Sequence, residues 1–331
     1  MATVVQSFLA RGADFTPLPF LGNPHVQTVL ALFLTGPVRD EPTRERRVLL
    51  PDGDRLLLYD SVPSGWEPGD RIAIIVHGLG GSHRSVHVTR QAAVLLRAGV
   101  RAVRMELRAA GKGIAFARKT YNAGSSDDLR AALAEVRRWS PTSPTFVIGQ
   151  SLGGNVALKL AGEAADDPVP GLAGVVAIGP PIDVARCAAL LAEPRNRVYE
   201  QFFLRALMAH LSRHRRIFPE LAMPRFPRRM TLRLFDELYT APFGGFNDAD
   251  ELYRRTSSLP LIPRIAVPTL VLTARDDPFI AVEPFESLRA PANVEVRVVG
   301  RGGHLGFVGR DGAGGLRWTE RTAAAWILRA A

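Results

Sequence analysis

A glycine-rich block in the middle of the chain constrains the fold more than any other feature. Residues 149–153 read Gly-Gln-Ser-Leu-Gly, which fits the pattern G-x-S-x-G. The apolar run 144–148 before the block predicts a buried strand, and residues 152–165 after it predict a helix. Side chains two residues before and after the serine would clash in so tight a turn, and glycine stands at both places. The block therefore predicts a sheet that presents Ser151 at its carboxyl edge, where a helix N-terminus favours negative charge.

The residues that such a serine needs as partners follow it in the required order, an acid and then a histidine. One predicted buried strand runs into Asp276 and Asp277, and a later predicted strand is followed by the glycine-flanked His304. Because the carboxyl ends of parallel strands share one sheet edge, these groups can meet Ser151. We predict Ser151 as nucleophile and His304 as general base. Asp277, three residues after a small residue, is the preferred orienting acid, and Asp276 is the alternative.

A second glycine-rich loop predicts the groups that stabilise an oxyanion. His77–Gly81 follows the predicted strand 72–76, and there we expect the histidine to support the loop. The backbone N–H groups of Leu79 and Leu152 are the predicted oxyanion donors. We expect the histidines that take no part in this chemistry to lie at the surface: His83, His87, His210 and His214.

The order of apolar segments predicts the class of fold. Strands are predicted at 45–50, 55–60, 72–76, 101–106, 145–149, 173–178, 268–274 and 294–299, and helices near 88–98, 126–139, 152–165 and 318–329. Alternating strands and helices indicate an α/β fold, here a mostly parallel eight-stranded sheet flanked by helices. We expect a single domain over 1–331, with an N-terminal extension of about residues 1–43. The alternation breaks between about 181 and 262, which predicts a helical lid inserted over the nucleophile.

Composition excludes several classes of protein. The chain of 331 residues is 47% hydrophobic, which is typical of a globular domain. No apolar run reaches the roughly 18 residues that span a bilayer, and no signal peptide is recognisable, so we expect a cytoplasmic protein. A single cysteine, Cys187, excludes an internal disulfide and a cysteine metal cluster. No cluster of cysteine, histidine and carboxylate residues has the spacing of a metal site, so no metal is predicted.

The net charge of +10 is concentrated in the predicted lid. The segment from Arg195 to Arg233 holds ten arginines and only two acidic residues, Glu200 and Glu220. Such a patch can bind nucleic acid, an anionic membrane or an acidic substrate. No nucleic-acid module or interleaved stacking aromatics accompany it, so no nucleic-acid partner is predicted. A solvated helical surface and peripheral contact with an anionic membrane are the two remaining interpretations.

Several motifs together give the chain a family resemblance over nearly its whole length. They are Asn23–Thr28, His77–Ser82, Tyr121–Gly124, Gly149–Asn155, Thr240–Pro242 with Gly245–Phe246, Asp276–Phe279 and Gly303–Phe307. With these motifs the chain resembles the α/β-hydrolase fold and, within it, the YheT-like hydrolases, which are related to the mammalian abhydrolase-domain 1 and 3 lipid hydrolases. The block Asn-Pro-His-x-Gln-Thr is the most specific, since general α/β hydrolases lack it.

The resemblance implies hydrolysis of carboxylic esters, short-chain or lipid, without a metal or organic cofactor. It also implies that His25 and Gln27 hold an N-terminal helix against the body of the protein. Two rival interpretations stay open. An acyltransferase would use the same three residues with an alcohol or thiol as acceptor in place of water. A non-catalytic binding protein on a hydrolase scaffold would be expected to have lost one of the three, and all are present here.

Overall fold

Eight strands form one sheet in this computed structural model, which describes residues 15–33, 42–310, 315–316 and 318–330. The strands are β1 (Arg44–Leu49), β2 (Arg55–Ser61), β3 (Ile72–Val76), β4 (Arg101–Glu106), β5 (Thr145–Gln150), β6 (Leu172–Ile178), β7 (Thr269–Ala274) and β8 (Val294–Val299). Their order in the sheet is β1-β2-β4-β3-β5-β6-β7-β8. β1 and β2 pair antiparallel, as do β2 and β4, and the other neighbours are parallel. This confirms the predicted mostly parallel eight-stranded sheet.

The burial of each strand explains its place in the sheet. All residues of β3, β5 and β7 are buried, as expected for central strands covered on both faces. The edge strand β1 is mostly exposed and carries three arginines, a composition that discourages pairing with another sheet edge. A turn at Gly53, whose φ is 88°, joins β1 to β2. Glycine fits this left-handed backbone conformation, and Leu50 N–H donates to Asp54 O across the turn at 2.9 Å.

Helices cover both faces of the sheet, and two apolar clusters fill the spaces between. The helices of the described chain outside the insertion are α1 (Pro24–Leu30), α2 (Val86–Arg97), α3 (Ser126–Trp139), α4 (Leu152–Glu163), α10 (Glu283–Glu286) and α11 (Trp318–Arg329). α3 and α4 pack with one cluster and α2 and α11 with the other. α4 is buried over most of its length, because it packs on both β5 and β6.

Between β6 and β7 the chain leaves the sheet and forms a run of helices. They are α5 (Val184–Leu191), α6 (Arg197–Ile217), α7 (Leu232–Phe235), the π-helical turn Asp236–Thr240, α8 (Ala241–Gly244) and α9 (Ala249–Thr256). We call residues 181–262 the insertion. The insertion has its own small apolar cluster, formed by Leu204, Leu211, Phe235 and Tyr239. Short 3₁₀ helices occur at Gly111–Ala115, Pro194–Asn196 and Leu259–Arg264. Among the described residues, no helix is both long and apolar enough to cross a membrane.

Candidate active site

Ser151 occupies a strained turn between β5 and α4. Its φ of 52° lies in the left-handed region, which costs a non-glycine residue about 1–3 kcal/mol and is held only by the surrounding structure. Ser151 N–H donates to Ile178 O at 2.8 Å, which ties the turn to β6. A Cβ on Gly149 would lie 2.2 Å from Gly153 O, and one on Gly153 would lie 2.5 Å from Val76 O. Both glycines are therefore required by space.

The structure brings Ser151, His304 and Asp277 into one chain of hydrogen-bond contacts. His304 Nε2 lies 3.0 Å from Ser151 Oγ, and His304 Nδ1 lies 2.8 Å from Asp277 Oδ2. His304 and Asp277 are both buried. Asp277 Oδ1 accepts hydrogen bonds from the N–H groups of Phe279 and Ile280, so both carboxylate oxygens are fixed. The arrangement fits the tautomer that carries its proton on Nδ1 and leaves Nε2 free to accept the serine proton.

Asp276, the alternative acid, makes different contacts. Its Oδ1 accepts hydrogen bonds from the N–H groups of Gly302 and Gly303, at 2.8 and 3.0 Å. These residues directly precede His304, so Asp276 braces the loop that carries the histidine. The two neighbouring aspartates thus hold the same loop at different points: Asp276 holds the backbone of the two glycines before His304, and Asp277 contacts the His304 ring.

The loop that follows β3 lies against the nucleophile. A Cβ on Gly78 would lie 3.0 Å from Ser151 Cβ, and Leu79 and Leu152 line the same cavity as Ser151. Within the described part of the chain neither of these two leucine N–H groups has a hydrogen-bond partner, so both can serve as donors.

Two side chains, of the buried His77 and the half-buried Tyr121, fix the shape of this loop. His77 Nδ1 donates to Gly78 O at 2.7 Å, and its Nε2 accepts from Leu107 N–H. Burial lowers the pKa of His77 to about 4, which keeps the ring neutral and able to make both bonds. Tyr121 Oη accepts a hydrogen bond of 2.7 Å from Gly80 N–H. The loop therefore enters the site with its backbone direction already set.

Comparison with known proteins assigns the family. A family model described as the alpha/beta hydrolase fold matches residues 74–311. YheT of Escherichia coli (strain K12), whose name assigns it provisionally to the esterases, is 32% identical over 99% of this chain and 96% of its own length. The chain belongs to the α/β-hydrolase fold family.

Other relatives and solved structures also match at lower identity. Mouse "Phospholipase ABHD3" is 25% identical over 85% of this chain and 70% of its own. The solved structure "Ferulic Acid bound to Est1E from Butyrivibrio proteoclasticus" superposes with a TM-score of 0.57 at 13% identity, over 86% of this chain and 98% of that one. A solved 2,6-dihydroxy-pseudo-oxynicotine hydrolase gives a TM-score of 0.58 at 17% identity, over 92% and 71%. At these identities the structural matches speak for the fold alone.

The N-terminal helix of this hydrolase clamps the loop that carries the histidine. Thr28 Oγ1 accepts a hydrogen bond of 2.9 Å from His304 N–H. Gln27 is fully buried, and its amide donates to Val308 O and accepts from Val308 N–H. A Cβ on Gly303 would lie 2.3 Å from Pro24 O, so the loop lies directly on α1. Residues from the Asn-Pro-His-x-Gln-Thr block therefore hold the loop on both sides of the histidine.

The clamp predicts a loss of turnover when Thr28 is changed to valine. This nearly isosteric side chain cannot accept the His304 N–H bond, so we expect kcat to fall about tenfold with KM little changed, since misplacing a base affects the reacting geometry. Thr28→Ser is the matched control and should keep most of the activity. Steady-state kinetics on an ester substrate measure both values. Equal kcat for Thr28→Val and the native protein would show that the clamp does not position the base.

Four histidines were expected at the surface, and the structure contradicts that expectation for two of them, His83 and His214. His83 is buried, with Nδ1 2.5 Å from Glu106 Oε1, and its ring stacks on Tyr59. His214 is fully buried, and its Nε2 donates to Ala117 O. His87 and His210 are partly buried. The polar partners that make their burial possible lie on other elements, which a local pattern does not reveal.

A cavity of about 450 Å³ opens at Ser151. Residues from the sheet edge and from the insertion line it, and most are apolar: Leu79, Leu152, Leu191, Phe203, Leu207 and Leu252. Phe279 also contributes, and its ring centre lies 4.1 Å from that of His304.

Two residues near the site, Thr28 and Tyr121, had no role predicted from the sequence. Both lie in motifs that carry the family resemblance, and this was the sequence feature that pointed to them. Their hydrogen-bond partners lie far away in the chain, so their roles could not be predicted.

Proposed function

We propose that this protein is a serine hydrolase of carboxylic esters, of the carboxylesterase or lipase type. The chain of contacts from Asp277 through His304 to Ser151, at a strained turn beside an apolar cavity, carries the proposal. The names of relatives support the same chemistry, since they include an esterase, a phospholipase and, in Saccharomyces cerevisiae, a monoacylglycerol lipase that is 28% identical over 60% of this chain and 45% of its own length.

In this proposal the reaction has two stages. Ser151 Oγ attacks the ester carbonyl while His304 Nε2 takes its proton, and Asp277 stabilises the imidazolium that forms. The N–H groups of Leu79 and Leu152 donate to the oxyanion of the tetrahedral intermediate. His304 then gives the proton to the leaving alcohol, and an acyl group stays on Ser151. Water repeats the sequence with the same base, releasing the acid and restoring the serine.

The cavity fits the acyl part of such an ester. Its lining is mainly apolar, so it favours a hydrocarbon chain through burial of apolar surface. Helices of the insertion form much of the lining, and we propose that the insertion acts as a lid that excludes water from the acyl-enzyme. Short-chain esters and lipid esters are both substrates under this proposal.

A panel of esters tests the proposal. Purified protein is incubated with p-nitrophenyl esters of increasing acyl length, and we expect saturable release of nitrophenol with an optimum set by the cavity. Adding an alcohol tests the acyltransferase alternative, which the yeast relative named "Medium-chain fatty acid ethyl ester synthase/esterase 2" supports at 25% identity. A new ester as the main product would favour transfer, and free acid as the main product favours hydrolysis. Release no faster than in buffer for every ester would contradict both.

We further propose that the outer face of α6 contacts anionic membranes. Val198 and Phe202 are 79% and 65% exposed, and with the exposed Arg205 they follow the i, i+4, i+7 spacing of one helix face. The segment from Arg195 to Arg233 contains ten arginines. Among the described residues only the first and the last of them form ion pairs, Arg195 with Glu193 and Arg233 with Asp250. Exposed apolar side chains beside unpaired arginines suit an anionic lipid surface.

Binding to lipid vesicles tests this surface. We expect more co-sedimentation with anionic than with neutral vesicles, because each arginine near an anionic surface contributes about 1 kcal/mol of attraction, and less at high salt because surface charges are screened. The double variant Phe202→Ser/Arg205→Ser should bind less, whereas Arg254→Ser, an exposed arginine of α9, should bind as the native protein does. Equal binding to neutral and anionic vesicles would contradict the proposal.

A further inference from the structure

A carboxyl group of the insertion lies in the wall of the cavity that contains Ser151, and ester hydrolysis does not use it. Asp236 begins the π-helical turn Asp236–Thr240. Turns of this kind are rare and frequently mark functional sites. Tyr253 Oη donates a hydrogen bond of 2.7 Å to Asp236 Oδ2, which fixes the carboxyl group against α9.

The charge of Asp236 is poorly compensated. Burial raises its pKa to about 6, although hydrogen bonds from Thr240 and Tyr253 and the charge of Arg233 lower it in part. Arg233, the nearby cation, donates two hydrogen bonds to Asp250 instead, at 2.8 and 2.9 Å. No ion pair to Asp236 occurs within the part of the chain that the structure describes. At neutral pH the group is therefore mainly an ionised carboxylate with acceptor capacity left over.

The surroundings of this carboxylate are mostly apolar. Phe235, Leu207 and Leu252 line the same cavity. An aliphatic chain laid across Asp236 would take water away from the carboxylate and offer no hydrogen bond in return, which is costly. A substrate that places a hydroxyl group there would donate a hydrogen bond and avoid this cost.

A second polar group lies in the wall of the cavity. His210 of α6 is among the lining residues, and its Nε2 has no hydrogen-bond partner within the described chain. Burial lowers the pKa of His210 to about 4, so the ring is neutral at physiological pH and does not neutralise Asp236. A mainly apolar cavity thus carries two polar groups, Asp236 and His210, to which a plain hydrocarbon chain offers no hydrogen bond.

We propose that Asp236 marks a polar subsite for a hydroxyl group carried by the ester, either on its alcohol part or along its acyl chain. The subsite rests on the proposed ester hydrolysis, and it makes Asp236 a specificity-determining residue. Hydroxylated esters are then preferred over esters of the same size that lack the hydroxyl.

Matched pairs of esters test the subsite. The alcohol pair is 3-hydroxypropyl butyrate and propyl butyrate, and the acyl pair is ethyl ω-hydroxyhexanoate and ethyl hexanoate. We expect the native protein to prefer the hydroxylated member of one pair by about tenfold or more in kcat/KM, as is typical of a hydrogen bond to a charged group. The pair that shows the preference identifies where the substrate carries its hydroxyl. The ratio is measured within one sample, so the amount of folded protein cancels.

Variants at two neighbouring carboxylates complete the test. In Asp236→Leu the preference should fall to about one or reverse, because the acceptor is replaced by apolar surface. Asp236→Asn keeps the shape of the side chain and should also reduce the preference. It serves as the test variant if Asp236→Leu does not fold. Glu237→Gln is the control and should leave the ratio unchanged, since Glu237 does not line the cavity among the described residues and accepts from Ala249 N–H.

Two results would contradict the proposed subsite, and a third would contradict the ester hydrolysis on which it rests. Equal kcat/KM within both pairs for the native protein would remove the need for a polar subsite. A preference for the hydroxylated ester that persists in both Asp236 variants would show that a group other than Asp236 causes it. Failure of the native protein to cleave any of the four esters would instead contradict the ester chemistry on which the subsite rests.

Discussion

Replacing Ser151 with alanine should lower kcat for ester hydrolysis by about 10⁴-fold or more. The reason is that no other group in this arrangement can form the acyl-enzyme: His304 Nε2 points at Ser151 Oγ, 3.0 Å away, and loses its proton donor when the oxygen is removed. KM should change little, because the cavity keeps its lining. Stopped and steady-state assays with a p-nitrophenyl ester measure the change.

A surface serine provides the control for this substitution. Ser287 forms its hydrogen bonds at the end of α10, with Glu283 O and Pro284 O, so Ser287→Ala should keep native turnover. Thermal unfolding should show that the Ser151→Ala protein is folded. Turnover within a few fold of native in that folded variant would remove Ser151 from the role of nucleophile.

The second large effect separates the two neighbouring aspartates. Asp277→Asn should lower kcat by about 10³- to 10⁴-fold, because an amide can donate to His304 Nδ1 and favour the tautomer that cannot take the serine proton. Asp276→Asn should cost less than about tenfold, since its amide oxygen can still accept from Gly302 and Gly303 N–H. Parallel kcat measurements on the two folded variants compare them directly. The opposite ranking would exchange the roles of the two residues.

The sheet could be predicted closely from the sequence because its signals are local. The fully buried strands β3, β5 and β7 are short apolar runs bounded by turn residues, and their predicted limits differ from the observed ones by at most one residue. The turn at Ser151 was equally clear, since the need for glycine on both sides comes from the backbone itself.

Features that depend on distant partners could not be predicted in this way. His83 lies in a loop, and its burial depends on Glu106 of β4 and Tyr59 of β2. The hydrogen bonds of Gln27 to Val308 join residues 281 positions apart in the chain. Short elements such as α7 and α8, with four residues each, give no helical periodicity, so the path of the insertion and the place of Asp236 in the cavity emerge only from the structure.

Covalent labelling with a fluorophosphonate tests the central claim most directly, because such a reagent reacts with an activated serine and traps it as a stable adduct. The protein is labelled in its native state, digested, and the modified peptide is identified by mass spectrometry. We predict one adduct on Ser151, no adduct in Ser151→Ala or in unfolded protein, and much slower labelling in His304→Ala. An adduct on another residue of the active protein, or equal labelling of Ser151 in the native and His304→Ala proteins, would contradict the account.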